Sequence, residues 1–147
     1  MTGMIACAHA APTPPNSDPD AAINALLDED IEFTMKSYPT WASILGDRRY
    51  DRELTDNSPT AIEARLESIR NRLERAKTID AQTLSNVGQT NHALLIYELQ
   101  NAIESAAFHQ EQIPLTQMGG PHTSLPQLPD RMTFTSDAQL EDYLARL

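Results

Sequence analysis

One segment of the chain carries an uninterrupted apolar repeat at helical spacing. Ser58-Pro59 opens it with a capping side chain and a proline suited to the first helical position. Behind this pair the apolar positions recur every three or four residues, at Ile62, Leu66, Ile69, Leu73 and Ala76. Because no alternating pattern of strand length occurs elsewhere in the sequence, we predict an all-α fold.

Comparable signals predict helices before and after this segment. Asp18-Pro19 predicts the start of the first helix, because the aspartate can cap it and the proline suits its first position. The other signals are helix ends at Pro39 and Gly46, a long helix from Thr90 to just before Pro114, and a capping box of Ser136 with Gln139. We therefore expect about four to six antiparallel helices. We also expect Trp41 to be buried, anchoring the short helix between Pro39 and Gly46 on the core.

Residues 113–135 interrupt the helical pattern, since they contain four prolines and two adjacent glycines. Proline lacks the N–H that a helix interior needs, so we expect a long Pro/Gly-rich loop here rather than a continuous helix. Paired glycines allow close approach to the backbone and their neighbours are polar, so four residues become candidates for substrate contact: Gln117, Gly119, Gly120 and His122. The alternative interpretation is a packed connection whose prolines fix its path.

The first 17 residues differ from the rest of the chain. A short apolar run reaches the small-residue step Ala8-His9-Ala10 and gives way to a proline-rich polar stretch. This is typical of the end of a secretory signal followed by a linker, so we expect an exported protein that is periplasmic or anchored to the bacterial envelope by a lipid. Cys7, in a loose lipoprotein-type box, is the lipidation candidate. The alternative is an ordinary disordered tail, since no positively charged segment precedes the apolar run.

The net charge argues against nucleic acid as a partner, and the lengths of the apolar runs argue against a transmembrane segment. The formal net charge of −10 argues against a nucleic-acid surface, because phosphate contacts need clustered lysine and arginine. The basic residues of 65–77 alternate with glutamates, which indicates a solvated helix face, and we expect the acidic residues of 28–32 to be solvated as well. No apolar run approaches the ~18 residues of a transmembrane segment.

The usual catalytic signatures do not occur in the sequence. None of the four histidines is followed by glutamate, and no glutamate lies three residues before a histidine, so zinc-helix and di-iron patterns do not occur. We therefore predict no catalytic residue, metal ligand or cofactor in this chain. From the composition described above we expect a signal remnant or disordered tail over residues 1–17. Because the sequence stops at Leu147 inside an apolar stripe, we expect residues 18–147 to be the N-terminal region of a larger helical domain, truncated in its last helix.

The charged stretch between the first two predicted long helices carries a likeness to a known family. It reads PTWASILGDRRYD over residues 39–51, followed by Leu54, Asp56 and Ser58. This resembles the N-terminal signature of DUF885, a family of bacterial, often exported proteins of uncharacterised function. Ser43 stands where threonine is common in that signature. Further matching points follow in order to residue 147, among them Gly119-Gly120 and the last predicted helix.

The resemblance implies a function that this chain would serve only in part. DUF885 proteins resemble helical zinc metallopeptidases whose zinc helix lies far downstream, so zinc is expected only in a full-length parent protein. The chain would then form part of the wall or lid of a cleft for peptide substrate, packed against the remainder of the parent chain. Arg48 and Arg49 could grip a peptide carboxylate, although a rigid helix-to-helix corner also explains them. The alternative from another class is a non-enzymatic helical periplasmic interaction module.

Overall fold

The computed structural model describes residues 18–112, 115–117 and 119–147. Over these residues the chain is all-helical, as predicted, and no strand occurs in the described part. The helices are α1 (Ala21–Ser37), α2 (Pro39–Ile44), α3 (Pro59–Lys77), α4 (Asn86–Ala106), α5 (Pro121–Arg131) and α6 (Asp137–Arg146). Short 3₁₀ turns lie at Arg48–Tyr50, Ala81–Thr83 and Gln110–Gln112. No described helix has the length and apolar character needed to cross a bilayer.

The larger core lies between α1, α3 and α4. Helices α3 and α4 run antiparallel, since Nε2 of His92 near the start of α4 lies 2.9 Å from the carbonyl oxygen of Ala76 near the end of α3. Seven buried apolar residues fill the space between the three helices: Ile23, Leu26, Leu73, Ala76, Leu84, Leu95 and Leu99. The apolar stripe expected on α3 therefore faces this core through its C-terminal half, with Ile69 packed at the edge.

Two predicted helix boundaries are confirmed and one is displaced. The Oγ of Ser58 accepts a hydrogen bond from the N–H of Ala61 at 3.3 Å, and α3 starts at Pro59. Gly46 follows α2 with φ of 90°, the left-handed region that favours glycine. Helix α1 begins at Ala21, later than predicted, because the Asp18 carboxylate accepts from the N–H of Asp20 and forms a turn instead of a cap.

Helix α4 begins at Asn86, four residues before the predicted start. Its cap is Ser85, whose Oγ accepts from the N–H of Gly88 at 3.1 Å, while the Asp20 carboxylate accepts from the N–H of Ser85 at 2.9 Å. A Cβ atom on Gly88 would overlap that carboxylate. Gly88 therefore lies inside the helix, where its missing side chain permits close contact with Asp20 at the start of α1.

The expectation of a long loop over 113–135 is wrong for residues 121–131, which form α5 with Pro126 and Pro129 inside it. Pro121 occupies the first helical position, where proline costs nothing, whereas the two internal prolines each remove one helix hydrogen bond. Burial of Leu128 in a second core compensates for that loss, because a tertiary contact can outweigh local propensity.

The second core is small and lies between α2, α5 and α6. Leu128, Met132 and Tyr143 are buried there, and the rings of Phe134 and Tyr143 meet edge to face with centroids 5.7 Å apart. The prediction that Trp41 is buried is wrong, since 49% of it is exposed. Helix α2 instead turns three smaller residues inward, Pro39, Ala42 and Ser43.

The charged residues of α1 and α3 are only partly solvated, contrary to expectation. Arg72 is buried, and its Nε lies 2.9 Å from Oδ1 of Asp30 while its guanidinium stacks 3.8 Å from the centroid of Phe33. Near it, Nη1 of Arg75 bonds Oε1 of Glu29 at 2.7 Å, and this bond lowers the pKa of Glu29. Such pairs link the two helices because the acidic residues of α1 face the basic residues of α3.

Candidate functional site

The charged stretch after α2 folds into a tight corner. Oδ1 of Asp47 caps the 3₁₀ turn by accepting from the N–H of Arg49 at 3.2 Å. The guanidinium of Arg49 also bonds Asp47 at 2.6 Å and Glu32 on α1 at 2.7 Å, and Tyr50 Oη donates to Glu32 at 2.6 Å. Hydrogen bonds from Arg49 lower the pKa values of both carboxyl groups. The corner is therefore tied to α1 through Glu32.

A buried polar cluster ties the same corner to α6. The carboxylate of Asp51 accepts from Ser43 Oγ at 2.5 Å and from Arg48 Nη1 at 3.0 Å. Arg146 on α6 reaches into this cluster, and its Nη2 donates to Ser43 Oγ at 2.6 Å and to the carbonyl oxygen of Tyr50 at 2.9 Å. The same nitrogen lies 3.7 Å from Oδ1 of Asp51. We name Ser43, Asp51 and Arg146 the buried triad.

The electrostatics of the triad are those of an enclosed ion pair. Burial lowers the pKa of the Arg146 guanidinium, yet arginine stays charged in proteins, so the group needs a buried counter-charge. Asp51 provides that charge. The Nε atom of Arg146 is buried without a hydrogen-bond partner among the described residues. Removing Asp51 would therefore leave the charged guanidinium of Arg146 buried without a counter-charge.

Arg48 and Arg49, predicted as candidates for gripping substrate, are both bonded to protein acceptors. Besides Asp51, Arg48 donates to the carbonyl oxygen of Thr133, and its guanidinium lies 5.8 Å from the ring centroid of Phe134. Arg49 is held by Asp47 and Glu32 as described. These contacts agree with the interpretation of this stretch as a rigid corner between helices. A substrate role for the two arginines stays a prediction.

An open cleft of about 370 Å³ lies beside the corner, between α2, the extended segment before α3, and the start of α5. Its walls carry three hydroxyl groups, a carboxamide and apolar side chains, from Thr40, Leu54, Thr55, Asn57, Gly120, Pro121, Ser124 and Leu125. None of the described residues that line it is charged. A smaller cavity of about 60 Å³ adjoins it and shares Thr40, Ser124 and Leu125. The volume falls in the range of small-molecule sites, about 300–1,000 Å³.

Gly120 brings the predicted Pro/Gly-rich segment to this cleft. Its φ of 149° lies in a region that side chains disfavour, and its carbonyl oxygen accepts from Thr123 and Ser124 in the first turn of α5. Gln117 is exposed in a turn that the N–H of Thr116 closes onto the carbonyl oxygen of Gly119 at 2.8 Å. His122 is exposed on α5. Of the four residues predicted to contact substrate, Gly120 is the one that lines the cleft.

Sequence reasoning missed most of the cleft. Thr40, Asn57 and Ser124 come from three separated segments, and none belongs to a spaced motif that would bring them together. Asn57 precedes Ser58, and the helix cap at Ser58 was enough to account for these residues without a bound ligand. The lipidation candidate Cys7 lies outside the described residues. Among the residues that are described, no group of three His, Cys, Asp or Glu side chains could hold a metal ion.

Comparison with known families decides what the corner and the cleft belong to. A family model described as "Bacterial protein of unknown function (DUF885)" matches residues 39–147. The chain belongs to the DUF885 family. The match begins at the first residue of α2 and spans the corner, every residue of the cleft wall and α6, so these DUF885 elements form one connected region. No curated protein and no solved structure matches the chain.

Proposed function

We propose that this chain is the helical N-terminal region of an exported DUF885-type zinc-dependent hydrolase acting on peptides, and that it has no activity by itself. In this proposal the cleft beside Gly120 forms part of the substrate-binding wall, and the rest of the parent protein carries the chemistry. The observation that carries the proposal is that the whole cleft wall lies within the DUF885 match.

The chemistry of the cleft suits substrate contact and not bond cleavage. Hydroxyl and carboxamide groups can exchange hydrogen bonds with the backbone of a bound peptide, and Leu54 with Leu125 can cover an apolar side chain. The cleft-lining residues that the structure describes include no carboxylate, histidine, lysine or cysteine that could act as a general acid or base. Contact of Gln117 and His122 with the same substrate is part of the proposal, since both flank Gly120 in the chain.

Zinc does not fit the residues that the structure describes. A catalytic zinc site needs about three protein ligands, and the described part of the chain brings no such set together. We therefore assign no zinc ligand here and derive no step through the metal. The chain alone is expected to bind no stoichiometric zinc and to hydrolyse no peptide, which calorimetry and a peptide-cleavage assay would check.

Export is supported by the composition of the first 17 residues, with Cys7 as the lipid attachment point or Ala10 as the last residue removed. Mass spectrometry of the mature N-terminus after expression in a bacterial host would test it. A lipid on Cys7 or a new N-terminus at Ala11 supports export, and an intact Met1 in a cytoplasmic fraction contradicts it.

Kinetics of the full-length parent protein test the substrate-wall role. Ser124→Ala, Gln117→Ala and His122→Ala are each expected to lower kcat/KM about three- to tenfold, because each removes a hydrogen bond of about 0.5–1.5 kcal/mol. The melting temperature should hardly change, since Gln117, His122 and Ser124 are exposed. Gln82→Ala, an exposed change far from the cleft in the chain, serves as the control. Unaltered kinetics in all three variants would remove the substrate role.

A non-enzymatic helical interaction module in the periplasm is the second candidate function. Large apolar side chains exposed on α2 and α4 favour it, among them Trp41, Leu94 and Tyr97. Reading the gene past the codon for Leu147 separates the two candidates. An HExxH motif within a few hundred codons supports the hydrolase, and a stop codon within a few tens supports the module.

A further inference from the structure

The apolar stripe of α3 extends beyond the larger core. Its C-terminal half packs against α1 and α4, whereas Ile62 and Leu66 in its N-terminal half belong to neither core and are only half-buried. The residues that α4 places near them are small, Ala102 and Ala106. Together with Ile69 these four residues line an open groove of about 360 Å³ between the two helices. We name it the α3–α4 groove.

The α3–α4 groove combines these aliphatic side chains with a few polar ones. Besides the five residues just named it is lined by Tyr38, Asn57, Arg65 and Glu111. The guanidinium of Arg65 lies 5.9 Å from the ring centroid of Tyr38, and its Nη1 donates to the carbonyl oxygen of Asp56 at 2.5 Å. Apolar walls with a small number of polar groups are typical of ligand sites of this volume.

The groove and the cleft beside Gly120 meet at Asn57, which lines both of them. The backbone on either side of Asn57 is fixed, because Oδ1 of Asp56 accepts from the N–H of Ser58 at 2.8 Å and Ser58 caps α3. Asn57 itself is exposed, and its carboxamide makes no hydrogen bond to another residue in the described part of the chain. A carboxamide both donates and accepts, so it can bind an N–H and a C=O group of one peptide backbone. Asn57 therefore presents a backbone-binding group at the junction of two cavities.

We propose that the α3–α4 groove continues the substrate-binding wall, so that one extended peptide lies in both cavities and bonds the Asn57 carboxamide at their junction. That the ligand is a peptide rests on the proposed function. The geometry adds its form, an extended chain whose apolar side chains contact the aliphatic residues of the groove. From Ile62 to Ile69 the groove follows α3 for about 10 Å at 1.5 Å per residue, which is about three residues of an extended chain. A peptide that also fills the cleft is therefore longer than about three residues.

Peptide binding to the full-length parent protein tests this arrangement. The probes are two octapeptides, one that alternates alanine with leucine and one that alternates alanine with serine. Calorimetry with a zinc chelator present measures the Kd of each peptide without cleavage. The wild type is expected to bind the leucine peptide at least about tenfold more tightly than the serine peptide, because the groove buries apolar side chains.

Three substitutions assign that preference to the groove and its junction. Ala106→Leu places a larger side chain in the groove and should weaken binding of the leucine peptide at least about fivefold, with little effect on the serine peptide. Ala64→Leu makes the same change at an exposed position of α3 that lines neither cavity, and serves as the control. Asn57→Ala should weaken binding of both peptides about three- to tenfold, since each loses a backbone hydrogen bond. The melting temperature checks that each variant folds, and Ala102→Leu replaces Ala106→Leu if the latter does not.

Each other result contradicts the proposal. Equal binding of the leucine peptide by Ala106→Leu and Ala64→Leu shows that the peptide does not enter the groove. Unchanged binding in Asn57→Ala removes the contact at the junction, and a wild type that binds neither peptide, or both equally, removes the apolar ligand. These Kd values need no catalytic assay. A parent protein that binds as expected but cleaves no peptide therefore loses the proposed hydrolase function and keeps the groove, whereas one that cleaves peptides with no effect of the groove variants keeps the function and loses the groove.

Discussion

Two regions of the molecule are held together by different physics. Helices α1, α3 and α4 enclose seven buried apolar residues, and of the two ion pairs between α1 and α3 one is exposed while the other joins buried Arg72 to the partly exposed Asp30. The corner with α5 and α6 encloses three buried apolar residues together with the buried triad. Apolar contacts weaken gradually as atoms are removed, whereas a buried charge that loses its partner is strongly destabilising. The smaller region should therefore be the more sensitive to one polar substitution.

The largest effect is expected from Asp51→Ala. It removes the acceptor of Ser43 and Arg48 and leaves the Arg146 guanidinium buried without its counter-charge. The free energy of unfolding in urea should fall by about 3–5 kcal/mol. Arg52→Ala is the control, because it breaks only the exposed pair with Asp142 and should cost less than about 1 kcal/mol. Equal effects of the two changes would show that burial of the Asp51–Arg146 pair does not make it more important than an exposed pair.

The apolar region should respond to cavity formation. Leu95→Ala opens a cavity between α1, α3 and α4, where Leu95 is 4% exposed, and should cost about 2–5 kcal/mol. Its neighbour Leu94 is 55% exposed, so Leu94→Ala in the isolated chain should change stability by no more than about 0.5 kcal/mol. Chemical denaturation of the two variants checks this. Similar losses would place α4 in a different rotation about its axis.

Trp41 should report a surface position at the edge of the smaller region. Since about half of it is exposed, Trp41→Ala should cost no more than about 1 kcal/mol in the isolated chain, and the indole emission should be that of a water-contacting side chain. A blue-shifted emission maximum that moves to longer wavelength on unfolding would instead show a buried indole.

Acid should weaken the contact between the corner and α1. Hydrogen bonds from Arg49 and Tyr50 lower the pKa of Glu32 below its ordinary value of 4.5. A carboxyl group with a lowered pKa in the folded state stabilises the fold above its unfolded pKa, and that contribution is lost as the pH falls through the folded value. Glu32→Gln should therefore show a smaller loss of melting temperature than the wild type between about pH 5 and about pH 3. Glu53→Gln, on an exposed residue, should behave like the wild type.

Sequence reasoning predicted the features that depend on residues close together in the chain. The α3 stripe, the Ser58 cap and the all-α class could be predicted, because periodicity and capping are local signals. At Ser136 the predicted cap also forms, accepting from the N–H of Gln139 at 3.4 Å. The DUF885 resemblance could be recognised too, since its signature lies in one continuous stretch.

What could not be predicted depends on residues far apart in the chain. Arg146 bonds Ser43 across 103 positions, and no spacing rule connects them. Helix α5 forms despite its internal prolines because Leu128 finds a core built from other helices. The cleft assembles hydroxyl groups from segments that carry no motif, so Gly120 was identified while Thr40 and Ser124 were not.

The charged DUF885 corner acts as a clamp for α6 through Asp51 and Arg146, and a double-mutant cycle between these two residues measures how strongly they are coupled. The free energies of unfolding would be measured for Asp51→Ala, Arg146→Ala and the double variant. We expect each single change to be strongly destabilising and the double change to cost much less than their sum, with a coupling energy of about 2–3 kcal/mol. Additive effects, within about 0.5 kcal/mol, would show that the two residues act independently and would contradict the clamp.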